Sequence, residues 1–562
     1  MSTIEPSLRI RTAGPGTARR RDRLARASLG TALGTLLSRL TGLLRLTAVA
    51  AALGGLHVAD AFNLANNTPN MVHDLVLDGV LSATFIPVII ERMAARTARE
   101  AEESTSAIFT LALTVLVGAT IACILAAGPI VDLYGGRAIP PDERALAVDL
   151  LRLFAPQVLF YGLISVISAV LATRDRFVAV GVVPVLNNVV AIAVLIVFAL
   201  TATHSVTPAG VVHNQGLLLL LGAGTTAGVA VQALALLPAL RASGARLRLR
   251  WRPRDPAVRR ILSLSGWTFG FVVANQVALF IVLALEVHLS NTVPGSVSAY
   301  TYAFQFFSFP FGVVAVSVIN VASPDLARAW ARNDLMGLGR RFGIATRRTL
   351  ALVLPAAVGF LLLAQPIVSL LLRHHAETGA SARLTASVLV MFALGLPGFC
   401  VFLLITRAFQ AMQDTRTAFV LYVLENGANV LLAALLYHPL GVRGLALAYS
   451  GAYTLATMVG LVVLRERTGT IGGRALATSS ARCLVLSVMM AFAVAVVSAV
   501  IGNRDAGLSG WFDLFCSVGA GAVVYLGGAG IAGTVRGWQT SRRGPATAAG
   551  PRRFRGRYTA RH

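Results

Sequence analysis

The chain has 562 residues, of which 56% are hydrophobic and only 13% charged, with a mean hydropathy of +0.73. A soluble chain would carry roughly 25% charged residues, so a water-soluble enzyme or binding module is excluded. The formal net charge of +25 raises nucleic acid as a partner, but all 49 basic residues are Arg and their placement argues for a membrane instead.

Apolar runs of about 20 residues, each enough to span a bilayer, recur from position 28 to position 536. Transmembrane barrels show alternating segments of about 10 residues, which this chain lacks. Fourteen helical spans are predicted: 28–54, 58–92, 105–132, 145–173, 177–203, 213–240, 257–289, 297–323, 344–373, 383–413, 416–438, 441–464, 482–502 and 511–535. The second contains Pro69, Asp74, Asp78 and Gly79, which predicts a bent or broken helix. Forty arginines fall in the two tails and in alternate loops, against six in the intervening loops. That is the positive-inside pattern, and it places both termini in the cytoplasm of a multi-pass inner-membrane protein. The basic tails, 1–27 and 537–562, are set to lie against anionic headgroups or to remain solvated arms.

Cys123, Cys400, Cys483 and Cys516 stand singly in apolar runs, and the nine His form no metal-binding spacing. No metal, cofactor or nucleic-acid partner is therefore expected. Nor is an N-terminal signal peptide, because the first apolar run is long and carries two Arg. No GxxxxGK[ST] phosphate loop is present, which disfavours a primary pump.

The polar insert 241–256 falls near the middle of the chain, between two six-helix units predicted at 28–240 and 257–464. "ADAFNLANNTPN" (59–70) is echoed by "VSAYTYAFQFFSFP" (297–310), and "TRDRFVAVGVVPVLNN" (173–188) loosely by "QDTRTAFVLYVLENGAN" (413–429). Two repeats of the same orientation imply a pseudo-two-fold along the membrane normal, with a site between the lobes.

"SRLTGLLR" (38–45), "ADAFNLANNTPN", "FIPVI" (85–89), "PVLNN" (184–188) and "RAFQAMQDTRTAF" (407–419) together resemble the MurJ/MviN family of lipid II flippases, within the multidrug, oligosaccharidyl-lipid and polysaccharide exporters. The resemblance implies an all-α fold of about fourteen helices, two six-helix lobes around a central cavity. It implies that the last two helices (482–536) form a groove for a lipid tail. The implied cargo is lipid II or a related polyprenyl-diphosphate-linked sugar, with membrane lipids and cell-wall synthesis proteins as further partners. The implied activity is transport in peptidoglycan biosynthesis, not enzymatic catalysis.

Arg39 and Arg45 correspond to cavity arginines of the family, and Arg meets phosphate oxygens bidentately. Six residues apart on a straight helix, they point about 120° from each other and lie about 9 Å apart along the axis. Asn70, His73 and Gln305 complete the expected substrate contacts. Asp60, Asp74, Asp78 and Glu425 are the candidate gate or coupling groups, since ionisable side chains within spans are costly and mark function. His73 and Gln305 stand where many relatives carry basic residues, which loosens the assignment of cargo. An exporter of another polyprenyl-linked oligosaccharide or of a drug, and a non-transporting cell-wall scaffold, stay open as alternatives.

Overall fold

The computed structural model describes residues 15–542 apart from 55, 76–97, 136–138, 173, 175, 203–205, 245–247, 252–265, 373–378 and 502–506. Every regular element among the described residues is helical. In chain order these are α1 (Pro15–Leu53), α2 (His57–His73), α3 (Ala98–Leu125), α4 (Ala127–Gly135), α5 (Pro141–Phe154), α6 (Pro156–Ala172), α7 (Phe177–Val182), α8 (Pro184–Thr201), α9 (Pro208–His213) and α10 (Gln215–Ala242). After the central insert come α11 (Gly266–Ser290), α12 (Ser296–Pro310), α13 (Val316–Ala331), α14 (Leu335–Leu372), α15 (Gly379–Ala411), α16 (Thr415–Leu440), α17 (Val442–Thr468), α18 (Gly473–Ile501) and α19 (Gly507–Arg542).

Twelve helices among the described residues are long and apolar enough to cross a bilayer. Counting Ser296–Val313 with Val316–Ala331, which meet at 45°, makes a thirteenth. Pro310 and the π turn Phe311–Ala315 lie at that bend, as expected where a proline cannot donate to the helical ladder. The expected span 58–92 is represented by α2, and its remainder, with Asp78, lies outside the described residues.

Several helices run past their expected ends. The first helix starts at Pro15 and so takes in half of the stretch expected as a tail, because "ARRRDRLARA" consists mostly of strong helix formers. Likewise α17 runs on to Thr468 and α18 starts at Gly473, short of the predicted 482. Several spans are also segmented: α5/α6 break before Pro156 and α7/α8 before Pro184, both at the first position of the new helix, where proline is tolerated.

Helices α1–α10 pack mainly on one another, α11–α17 form a second group, and α18 and α19 pair and lie against α14. A close seam joins α15 to α17. A Cβ on Gly395 would sit 2.4 Å from the Ser450 Cα, and one on Gly398 2.8 Å from the Thr454 hydroxyl, so the backbones approach as only small residues allow. The Ser450 and Thr457 hydroxyls donate across the seam to Met391 O and Gly398 O, both at 2.7 Å. Phe304, Phe307, Phe392, Phe399, Tyr449 and Tyr453 stack beside it with neighbouring centroids 4.6–6.0 Å apart. Outward-facing Leu125, Leu200, Phe492 and Val500 are more than two-thirds exposed, the arrangement that a lipid solvent requires.

Candidate functional site

The first group meets the second at two levels, and the charged residues of the opening helices lie at both. At the level of the 54–57 and 290–296 connections, Asp60 of α2 is 1% exposed and faces the start of α12. Its carboxylate accepts from the Gly295 N–H (2.9 Å), the Ser298 N–H (2.8 Å), the Ser298 hydroxyl (2.6 Å) and the Ser290 hydroxyl. Asn63, one turn along α2, donates to the Ser298 hydroxyl at 3.1 Å. Gly295, at φ 90°, is in the left-handed region and has no side chain with which to cap α12. Asp60 therefore serves as a cap supplied from the other group of helices, at the positive end of a helix dipole.

Two apolar contacts close the same end. Tyr134 of α4 stacks on Phe280 of α11 at 4.9 Å, and a Cβ at Gly135 would lie 2.6 Å from the Val287 Cγ1. His57 and Glu143 pair at 2.6 Å nearby. Glu143 and the buried Glu286 are both within electrostatic reach of Asp60.

Toward the other end, Arg39 of α1 lines a cavity of about 450 Å³. Ser38, Gly42 and Leu43 share its α1 wall, Pro184 begins α8, and Gln305 and Phe309 belong to α12. A volume of this size takes a small ligand or part of a larger one. The Arg39 guanidinium lies flat against the π turn: a Cβ on Gly312 would come within 2.8 Å of its Cζ. Asn188 fixes this stretch of α1 by donating to Ser38 O (3.2 Å) and to the Thr41 hydroxyl (3.0 Å). Neither Arg39 nor Arg45 makes an ion pair among the described residues.

The helix α1 is continuous through Thr41-Gly42, so the two arginines diverge as a straight helix requires. Arg45 is not part of the Arg39 cavity wall but lies within electrostatic reach of Tyr161 of α6, as does Asp74. His73 contacts the Tyr161 ring at 5.7 Å, the Ser165 hydroxyl at 3.1 Å and the Asp74 carboxylate at 3.0 Å. The candidates thus divide: Arg39 with Gln305 in one place, Arg45 with His73 and Asp74 in another.

Asn70 is half-buried and donates to Asn66 O at 3.1 Å, bonding within its own helix. Glu425 of α16 is 2% exposed, has one carboxylate oxygen without a hydrogen-bond partner among the described residues, and lies among Tyr300, Tyr422, Tyr449 and Tyr453 inside the second group. The partners of Asp60, together with His57, Glu143, Glu286 and Gly312, were not anticipated from sequence. Glu143 and Glu286 carry a signal, a carboxylate in an apolar stretch, whereas Ser290, Ser298 and Gly312 carry none.

Comparison with known proteins places this geometry. The family model described as "Lipid II flippase MurJ" matches residues 49–505. The chain belongs to the lipid II flippase MurJ family. Relatives include the probable lipid II flippase MurJ of Rhizobium meliloti (strain 1021), 31% identical over 74% of this chain and 75% of that protein. The lipid II flippase MurJ of Burkholderia cenocepacia is 27% identical over 79% of this chain and 84% of its own length. A solved lipid II flippase MurJ in an inward closed conformation superposes with a TM-score of 0.72 at 21% identity, covering 89% of this chain and 98% of that one. An inward-facing multidrug resistance MATE transporter of the MOP superfamily superposes at 0.63 and 16% identity, covering 80% and 99%. Family membership rests on the sequence matches, and the structural likenesses establish the fold alone.

Proposed function

We propose that this protein carries lipid II from the inner to the outer leaflet of the cytoplasmic membrane by alternating access, with both termini in the cytoplasm. Family membership supports the activity and the arginine distribution supports the orientation. The observation that carries the reading is the pairing of Arg39, without an acidic partner among the described residues, with a cavity bounded by both helix groups. A guanidinium so placed meets a diphosphate bidentately, and Gln305 opposite adds a hydrogen-bond donor without charge.

In this reading Asp60 is the outer gate. With α12 capped by Asp60 the outer end is shut, and the headgroup has access only from the inside. A cavity of about 450 Å³ accepts the diphosphate and its first sugar, so the rest of the head requires the helix groups to part further. Arg45, His73 and Asp74 form a second polar station along the same helices, and Glu425 is a coupling group in the second lobe. The lipid tail stays in the bilayer along α18 and α19.

The experiment is binding of the purified protein to lipid II and to a diphosphate-free analogue. Diphosphate-dependent binding that falls roughly tenfold or more in Arg39→Ala supports the site. Binding indifferent to the diphosphate would refute it. A narrower reading, that the cargo is a different polyprenyl-diphosphate-linked sugar, is favoured by the neutral Gln305. It requires lipid II to be outcompeted by that sugar lipid in the same assay.

A further inference from the structure

A second cavity, of about 420 Å³, lies between α13 and α14 and shares no wall residue with the Arg39 cavity. Its wall contains Ser317, Val321 and Asp325 of α13, and Arg341, Ile344 and Arg348 of α14. Arg341 and Arg348 are seven residues apart, two turns less about 20°, so they sit on one face of α14 about 10 Å from each other along the axis. Both are exposed and make no ion pair among the described residues. Asp325, the acid at the rim, is held by Arg328 of its own helix. The cavity therefore presents two guanidinium groups without an ion-pair partner among the described residues, above an apolar floor, with Val321 66% exposed to the surroundings.

That combination suits an amphiphile with an anionic head. The segment 328–348 holds six arginines, Arg328, Arg332, Arg340, Arg341, Arg347 and Arg348, which places it at the inner membrane surface by the same charge rule used above. Basic pockets between transmembrane helices on that side bind the headgroups of anionic lipids. We propose that the α13–α14 cavity is a binding site for the phosphate headgroup of an anionic phospholipid of the inner leaflet, distinct from the transport cavity. The leaflet assignment rests on the orientation proposed above; the site itself does not.

The test is lipid retention by the full chain in detergent, measured by native mass spectrometry with phosphatidylglycerol, phosphatidylcholine of the same acyl chains, and inorganic phosphate as probes. Wild type should retain phosphatidylglycerol over phosphatidylcholine. Arg341→Gln with Arg348→Gln should weaken that retention roughly tenfold or more. Arg340→Gln with Arg347→Gln removes equal charge from positions off the cavity wall and should change it less than twofold. Equal losses in both pairs would reduce the effect to a diffuse field and overturn the site. Equal retention of the two lipids would overturn it too, and displacement by millimolar phosphate would make it a free-anion site. Asn333→Cys, in the α13–α14 turn, should label with an impermeant thiol reagent only from the inside. Labelling from the outside with phosphatidylglycerol retention intact would overturn the leaflet assignment and the proposed orientation, but not the site.

Discussion

In the proposed orientation, removing the Asp60 carboxylate should open the outer end. In Asp60→Ala, α12 loses its cap, and the Gly295 and Ser298 N–H groups and the Ser290 and Ser298 hydroxyls lose their common acceptor. A hydrogen bond to a charged group contributes about 1.5–3 kcal/mol net. The four share one acceptor and are not additive, and water satisfies the donors once the helices part. Counting the equivalent of one to two bonds gives about 3 kcal/mol, or roughly two orders of magnitude in the closed-to-open ratio. Asp60→Asn retains one acceptor oxygen and should fall between wild type and Ala. The reporter is Ser296→Cys, since Ser296 is fully buried behind the clasp, in a Cys516→Ser background that leaves only the three buried cysteines. Modification by an impermeant maleimide from outside should accelerate at least tenfold in Asp60→Ala, with Asp60→Asn intermediate. Unchanged modification in a variant that keeps its melting profile would refute the inter-lobe clasp.

Three further outcomes follow from the packing. Arg45→Ala should weaken lipid II binding less than threefold where Arg39→Ala costs roughly tenfold, because only Arg39 lines the cavity with Gln305; equal losses in equilibrium binding would contradict that division. Gly312→Val, which drives a side chain into the Arg39 guanidinium, should approach the Arg39→Ala phenotype without altering charge, as read by the same binding assay. Gly395→Ala places a methyl against the Ser450 backbone and should destabilise the α15–α17 seam by roughly 1–3 kcal/mol, visible as a lowered melting temperature in detergent.

The all-helical membrane architecture was legible because hydropathy and arginine placement are local properties of the chain. The divergence of Arg39 from Arg45 was legible too, since helical geometry alone dictates it. What could not be read was the partner of each charge. Asp60 announces itself as a carboxylate in an apolar helix, but its partners at 290–298 are more than two hundred residues away, small and unremarkable in type. Gly312 matters only because Arg39 packs on it, and a glycine in an apolar span has many ordinary reasons to be there. The helix starts at Pro15 and Gly473 were missed because hydropathy marks where a helix enters lipid, whereas the backbone continues as long as its residues favour helix.

The most direct test of alternating access is to lock the outer end and measure transport. Gly135→Cys with Val287→Cys joins α4 to α11, where a Cβ on Gly135 would point at the Val287 Cγ1 from 2.6 Å once Ile139, at 2.5 Å, gives way, which brings the two thiols within reach of each other. Appearance of the lipid II headgroup on the far side of reconstituted vesicles is then followed under oxidising and reducing conditions, with each single cysteine variant as control. Transport that stops on oxidation and returns on reduction is the expected result. Transport at the wild-type rate through a fully crosslinked protein would contradict a mechanism in which the outer end must open.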